Sequence, residues 1–356
     1  MNTSRFRGRT LLLAWLYSYS AVLVMTLLLF RGISTYSWAT VPKLVDGTAH
    51  RPFVTRALLP AVVRGVMAAT PAVRERVERR VAGALADARP GSRPERALEA
   101  LGWTPDDVYV HLVATGVMLA CFLALPWVLR RLVRVAYDAP PAVADLAPVF
   151  GLLALPLFFV AYARYLYDPG TLLLWSLSTL WVMERRHVAL WLLLPVLAYH
   201  KETAVLLPPL VALRDWGHAP RARVLVVLAA QLAVVAGVRL WVGQQFAGNP
   251  GDTVLWVGVA HTRELLANLL RRPPYIPLVV AILGWLVLSG WREKSLFLRR
   301  AFLLVLLPLV LLSLAFGYVD ELRGYYETWA LVMLLSLPTV AGLLGAAPIR
   351  QRTPAG

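Results

Sequence analysis

Lys201-Glu202 interrupts an apolar stretch that runs from Val188 to Leu213. Charge at such depth is costly unless it is paired, faces a wet cavity or binds something charged. An ion couple that tolerates a hairpin tip accounts for the pair, and so does a site. Other charged or imidazole side chains border apolar blocks elsewhere: Asp46 with His50, Arg51 and Arg56; Asp168; His200 beside Lys201; and Glu321 with Arg323, following Asp320. Carboxylates mixed with cations suit an anionic substrate handled by a general base.

Each of these has a structural explanation as well. Asp168 precedes Pro169, and an acidic residue before proline is a good helix start. Asp106-Asp107 follows Thr104-Pro105, so Thr104 as N-cap with two carboxylates in the first turn explains that pair. Asp46-Gly47 fits an Asx turn, with glycine allowing the backbone to bend directly after the carboxylate. Arg51 to Arg56 fits an interfacial anchor. His50, His200 and His261 show no metal-ligand spacing, and Cys121 is the only cysteine, so neither a multi-cysteine metal site nor an intrachain disulfide is available. No cofactor is indicated; a divalent metal shared by Asp46 and Glu202 stays open.

The elements that must position these residues follow from composition. Hydrophobic residues make up 59% of the 356 residues, and the mean hydropathy is +0.63, beyond what a soluble surface absorbs. The apolar residues fall in blocks of about 18 to 21, the length a helix needs to cross a bilayer. The spans predicted are Thr10 to Phe30, Val108 to Leu129, Leu146 to Ala163, Gly170 to Met183, Val188 to Tyr199, Ala204 to Leu213, Val224 to Val242, Pro274 to Gly290, Ala301 to Gly317 and Thr328 to Ala346, roughly ten crossings. Thr10 to Phe30 reads as a retained first span, since its run is long and no small-residue cleavage pattern follows. Fold class is therefore all-α, a single polytopic membrane domain over 1–356.

Charge sets the orientation. The net charge of +16 comes from groups at the ends of apolar blocks, where they meet anionic lipid and set topology, and no nucleic-acid motif competes. The fifth and sixth spans are too short to cross unaided and could instead form one long kinked helix from Val188 to Leu213, which would divide the Arg groups between the two sides. Treating the stretch as two short helices puts Arg5/Arg7/Arg9, Arg130/Arg131/Arg134, Arg185/Arg186, Arg214/Arg221/Arg223, Arg292/Lys294/Arg299/Arg300 and Arg350/Arg352 on one side, which is then cytoplasmic, with both termini. Asp46, Asp168, Lys201-Glu202 and Glu321-Arg323 all fall on the outer side.

The segment 31–107 is the exception, an Arg-rich outer loop long enough to escape the positive-inside bias. Within it Val73, Val77, Val81 and Leu85 repeat every four residues among Arg74, Arg76, Glu78, Arg79 and Arg80, predicting an amphipathic helix in the interface. Pro90 to Pro94 breaks it, and a second short helix runs to Leu101. A smaller outer loop, 244–273, holds another such segment from His261 to Arg272. The Pro-rich turn over Ala139 to Ala142 is a cytoplasmic connector.

This layout resembles the GT-C-fold glycosyltransferases that use polyprenyl-phosphate-linked sugars: one span, a large outer loop with an Asp near its start and surface helices, then many spans with short ones near the site. Asp46-Gly47 with Arg51-Pro-Phe-Val-Thr-Arg56-Ala-Leu-Leu-Pro60, then Tyr167-Asp168-Pro169, Lys201-Glu202-Thr203 and Glu321-Leu-Arg323, is similar to segments of bacterial membrane proteins grouped with that superfamily. The family's paired acid in the first loop has no clear counterpart, since Asp46 stands alone and Asp106-Asp107 lies at the loop's far end. The resemblance implies an inverting transfer on the outer face of the bacterial cytoplasmic membrane, from a polyprenyl-phosphate sugar to a hydroxyl of a lipid, glycan or protein acceptor. Asp46 is the base it implies, with Asp106/Asp107 the alternative. Arg51, Arg56, Lys201 and Arg323 would hold phosphate, and Glu202, Asp168 and Glu321 would orient those cations or bind sugar hydroxyls; His200 fits either task, and His50 lies beside them. The rival classes are a surface-glycan polymerase or ligase, and a transporter or flippase of lipid-linked substrates. The last of these favours internal pseudo-symmetry, which the sequence lacks.

Overall fold

The computed structural model describes residues 3–30, 32–86, 91–158, 164–251, 257–267, 275–347 and 349–352, the side chains of residues 3–7 and 257 excepted. Among these, the chain is helical almost throughout. Helix α1 (Thr3–Leu29) leads into a short α2 (Val41–Asp46), α3 (Leu58–Ala69), α4 (Pro71–Ala86) and α5 (Arg93–Leu101). There follow α6 (Val108–Ala136), α7 (Pro141–Leu153), α8 (Asp168–Met183), α9 (His187–His200) and α10 (Leu207–Asp215). Helices α11 (Arg221–Gln245), α12 (Val257–Ala267), α13 (Tyr275–Leu288), α14 (Leu296–Phe316) and α15 (Trp329–Leu343) complete the chain.

Among the described residues, six helical stretches are long and apolar enough to cross a membrane: Gly8–Leu29, Pro105–Ala136, Pro141–Phe158, Arg221–Gln245, Leu296–Phe316 and Leu322–Leu343. They coincide with six of the expected spans and fit an integral membrane protein. The remaining expected spans are present as shorter helices, α8, α9, α10 and α13. Fourteen residues, the length of α9 and α13, rise only about 21 Å at 1.5 Å each, short of roughly 30 Å of hydrocarbon. Among the described residues, helix length and composition alone support six crossings. The end of the third expected span at Ala163, the start of the eighth at Pro274, the stretch from 268 to Arg272 and Pro90 lie outside the described residues.

The exterior is apolar in the manner of a lipid-facing surface. Leu11, Leu12, Trp15 and Leu27 of α1, Leu225, Val226 and Leu240 of α11, and Leu307 and Leu311 of α14 are exposed. In water such patches would drive association; in lipid they are the solvated face. The core instead gathers around α6, whose Met118, Phe122, Leu125, Leu129 and Leu132 are fully buried. This helix packs on α1, α3, α7 and α8. Prolines at 126, 148, 195, 308 and 338 sit inside helices, a usage that packed membrane helices tolerate because neighbours satisfy the freed carbonyls.

The described part of the segment 31–107 is more helical than its sequence suggested. The amphipathic α4 and the short α5 are where the periodicity places them, and none of α4's side chains is buried. Helix α3 was not anticipated; it packs Leu59, Pro60 and Val63 inward, and Arg64 ties it to α2 by donating to the Val45 carbonyl. Thr104 also departs from expectation. Its hydroxyl donates to the Asp107 carboxylate at 2.7 Å and caps no backbone N–H, because the 3-10 turn over Pro105–Asp107 brings the carboxylate within reach first.

The short-loop arginines collect on one face. Asp145 of α7 accepts from Arg9 at 2.6 Å, Arg130 at 2.7 Å and Arg134 at 3.2 Å, and Glu184 pairs with Arg131 and Arg186. A two-residue antiparallel ladder joins Tyr137–Asp138 to Arg350–Gln351 on the same face. We call this the basic face; the candidate site lies at the other end of the helices.

Candidate functional site

Helix α9 ends at His200 because Lys201 is extended, at φ −157° and ψ 148°, before a 3-10 turn over Glu202–Leu206 enters α10. The break sends the two adjacent charges to different partners. Lys201 Nζ donates to Glu327 Oε1 at 2.6 Å, and the Thr203 hydroxyl donates to the same oxygen at 2.7 Å. Glu327 is completely buried, and its Oε2 has no hydrogen-bond partner among the described residues. Glu202 turns the other way, pairing with Arg56 Nη2 at 2.7 Å while keeping 41% of its side chain exposed.

Arg56 follows a 3-10 turn over Phe53–Thr55, and the next residue anchors the loop by donating its N–H to the Tyr199 carbonyl at 3.2 Å. Its Nη1 donates to the Tyr167 hydroxyl at 2.6 Å, and its guanidinium lies 4.7 Å from that ring's centroid. Arg239 of α11 reinforces the junction, donating to the carbonyls of Thr55 at 2.9 Å and Ala198 at 3.2 Å. Burial opposes charge on Glu202, but Arg56 beside it, with help from Lys201 and Arg239, holds its carboxyl well below the usual range.

The third pair comes from the turn before α15. Arg323 bonds Glu321 through Nε at 2.7 Å and Nη2 at 2.5 Å, and reaches Asp168 at 3.5 Å. It also lies 4.3 Å from the centroid of Tyr165. Asp168 starts α8 with Pro169 behind it, as the sequence indicated, and accepts from the Tyr165 N–H at 2.9 Å. Gly170 permits this assembly: a Cβ there would stand 2.7 Å from Leu59 Cδ1 and 2.8 Å from His200 Cε1.

Five of the residues singled out from sequence, Arg56, Asp168, Glu202, Glu321 and Arg323, are therefore joined by contacts into one layer, and Lys201 adjoins it as the chain neighbour of Glu202. His200 packs beneath it, fully buried, with Nε2 2.9 Å from the Thr171 hydroxyl; its place is between α8 and α9. Asp46, His50 and Arg51 share the loop that delivers Arg56, yet among the described residues no hydrogen bond or ion pair ties them to the layer. Asp46 is exposed at the end of α2, just before Gly47 at φ 75°, and contributes to the field at Arg74 of α4. His50 stacks on Trp38 with centroids 5.0 Å apart, and the Arg51 N–H donates to the Pro250 carbonyl. His261 meets Asp320 at 2.7 Å.

Sequence inspection missed Glu327, Arg239 and the tyrosines. Arg239 had a usable signal, a lone charge within an apolar span. Glu327 had little, being a single acid in Tyr325-Tyr-Glu-Thr-Trp329. Among the described residues no group of three or more His, Cys, Asp or Glu side chains is arranged to hold a metal ion. Comparison with known proteins adds no relative: no family model, no curated protein and no solved structure matches the chain.

Proposed function

We propose that the chain is a membrane glycosyltransferase that moves a sugar from a polyprenyl-phosphate donor to an acceptor hydroxyl on the outer face, with inversion. One observation carries this reading: three ion pairs, Arg56–Glu202, Lys201–Glu327 and Arg323–Asp168, form or adjoin one layer at the point where apolar helices are interrupted. The last two of these pairs are buried, and buried ion pairs are poor devices for stability alone, since well-packed apolar residues do as well. Fixed cations in a poorly hydrated layer are what a departing lipid phosphate requires.

In the proposed reaction the acceptor oxygen attacks the sugar's anomeric carbon and its proton passes to a carboxylate. The bond from that carbon to the phosphate oxygen breaks, and the electron pair leaves with the polyprenyl phosphate. Asp46 is assigned the proton, as the exposed carboxylate at the head of the loop that supplies Arg56. Arg56 and Arg323 are assigned the phosphate, and Lys201 the positive field behind it. The long apolar flanks of α1, α11 and α14 let a lipid donor approach laterally.

The test uses purified protein in liposomes with a polyprenyl-phosphate sugar labelled in the sugar. Release of polyprenyl phosphate together with a new glycosidic bond, lost in Arg323→Met, supports the proposal. Movement of intact donor across the bilayer without turnover would instead make the protein a transporter.

A further inference from the structure

A cavity of about 250 Å³, its walls mostly apolar but its rim charged, opens on the basic face, at the opposite end of the helices from the ion-pair layer. It lies between the start of α9, the end of α10 and the first turns of α11. Arg185, His187, His218 and Arg223 line it, with Asp215 as its only acid. Asp215 stands 3.7 Å from His187 Nδ1 and, among the described residues, forms no ion pair with either guanidinium.

Three features of this cavity are costly without a bound anion. Arg185 is held at φ 53°, a left-handed conformation uncommon outside glycine and asparagine. Its Nε and Nη2 are buried without a hydrogen-bond partner among the described residues, as is Nε of the neighbouring Arg214, whose charge is opposed first by burial and then by Arg185. The cavity also meets the N-termini of both α9 and α11, where helix dipoles present positive ends. Neither first turn contains an acid; they hold His187, Arg221 and Arg223 instead. Cations are thus concentrated where backbone dipoles already disfavour them.

One polar side chain lies deeper in the cavity. Gln231, 3% exposed, lines it from the third turn of α11, and its Oε1 has no partner. Trp191 supplies an apolar wall.

We infer that this cavity binds a phosphate ester carrying a hydrogen-bond donor such as a hydroxyl: the phosphate lies between Arg185 and Arg223 at the helix N-termini, and the donor reaches Gln231. Arg185 receives a bidentate partner for its orphaned N–H groups, and the amide oxygen of Gln231 accepts from the hydroxyl. Either a phospholipid headgroup or a free phosphorylated polyol offers this chemistry. The site shares no residue with the proposed transferase site, and its test does not depend on that activity.

The experiment uses the full chain in detergent. In one arm, native mass spectrometry measures retention of dioleoyl phosphatidylglycerol against dioleoyl phosphatidylcholine. In the other, thermal shift is measured with glycerol 3-phosphate and with inorganic phosphate. Selective retention of phosphatidylglycerol, or a shift with glycerol 3-phosphate exceeding that with phosphate, is expected, and which arm responds identifies the source. Arg223→Gln should weaken the response about tenfold, the loss of one charge-assisted contact. Gln231→Leu should remove the preference for the hydroxylated ligand while leaving the phosphate response. Arg350→Gln, on the same face but outside the cavity, should change nothing. Silence in both arms, or equal loss with Arg350→Gln, would overturn the site in favour of diffuse surface charge.

Discussion

The rings of Tyr165 and Tyr167 stack in parallel, 5.3 Å apart at 3°, and each carries an arginine, Arg323 over the first and Arg56 over the second. This stack is the physical link between the two outer ion pairs. Two guanidiniums held near one another repel, and aromatic faces lessen the cost because their quadrupoles attract both cations. Tyr167→Phe keeps the stack and removes the hydroxyl that accepts from Arg56. We expect a stability loss of about 1 to 2 kcal/mol, the range for a hydrogen bond to a charged group, read as a lowered midpoint in denaturant. Tyr165→Leu should cost more, since it removes the ring from Phe53 and Tyr167 as well as from Arg323.

Among the described residues Lys201 is the one cation ion-paired with Glu327, which is fully buried. Glu327→Gln changes size very little but leaves a buried ammonium without its counter-charge. The expected loss is about 3 to 5 kcal/mol, the usual effect of breaking a buried pair from one side. Lys201→Met combined with Glu327→Leu should recover a large part of it. Equal destabilisation in the single and double variants would mean that Lys201 does not depend on Glu327.

Gly170 is fixed by space. Gly170→Ala places a methyl against Leu59 and His200, and overpacking of this kind costs about 1 to 3 kcal/mol. Because both neighbours belong to the elements that carry Arg56 and Lys201, loss of stability should be accompanied by weaker donor retention. Thermal midpoint and native mass spectrometry on one sample give both readings.

The membrane helices were legible because apolar length is a composition-level property, and the break at Lys201-Glu202 because charge in such a stretch is conspicuous. Helix α3 was not, since Pro60 and Arg64 disguise its apolar face as loop. Nor were Asp145 and Glu184 of the basic face: each is an ordinary single acid in sequence, and its arginines come from other helices. The partners of Lys201 and Glu202 were hidden for the same reason. Adjacency suggested that the two pair with each other, whereas the extended backbone at Lys201 turns them to opposite sides.

Orientation can be read by cysteine accessibility in a Cys121→Ala background. Arg96→Cys and Gly248→Cys should label from outside intact cells, and Arg300→Cys and His218→Cys only after permeabilisation, if the basic face is cytoplasmic. All four positions are exposed or partly exposed. Labelling of His218→Cys from outside would reverse the assignment and place the ion-pair layer on the cytoplasmic side.

The identity of the proton acceptor is the sharpest question for the proposed chemistry, and the two carboxylates concerned predict different behaviour. Asp46 is exposed and outside the ion-pair layer, so Asp46→Asn should leave folding intact; loss of a positioned base slows such a step by about 10²- to 10⁴-fold. Glu202 is held ionised by Arg56, which lowers its proton affinity and makes it a weak base. Its lowered folded-state pKa also fixes a sign: the stability it contributes is present above its unfolded pKa and is lost only as pH falls through the lower folded one. An acid limb in the activity near the ordinary carboxylate range therefore belongs to another group. Glu202→Gln should chiefly raise KM for the donor by releasing Arg56 from its orientation, with kcat affected less. Full activity in Asp46→Asn together with a folded, inactive Glu202→Gln would transfer the proton to Glu202 and bring the reaction inside the layer itself.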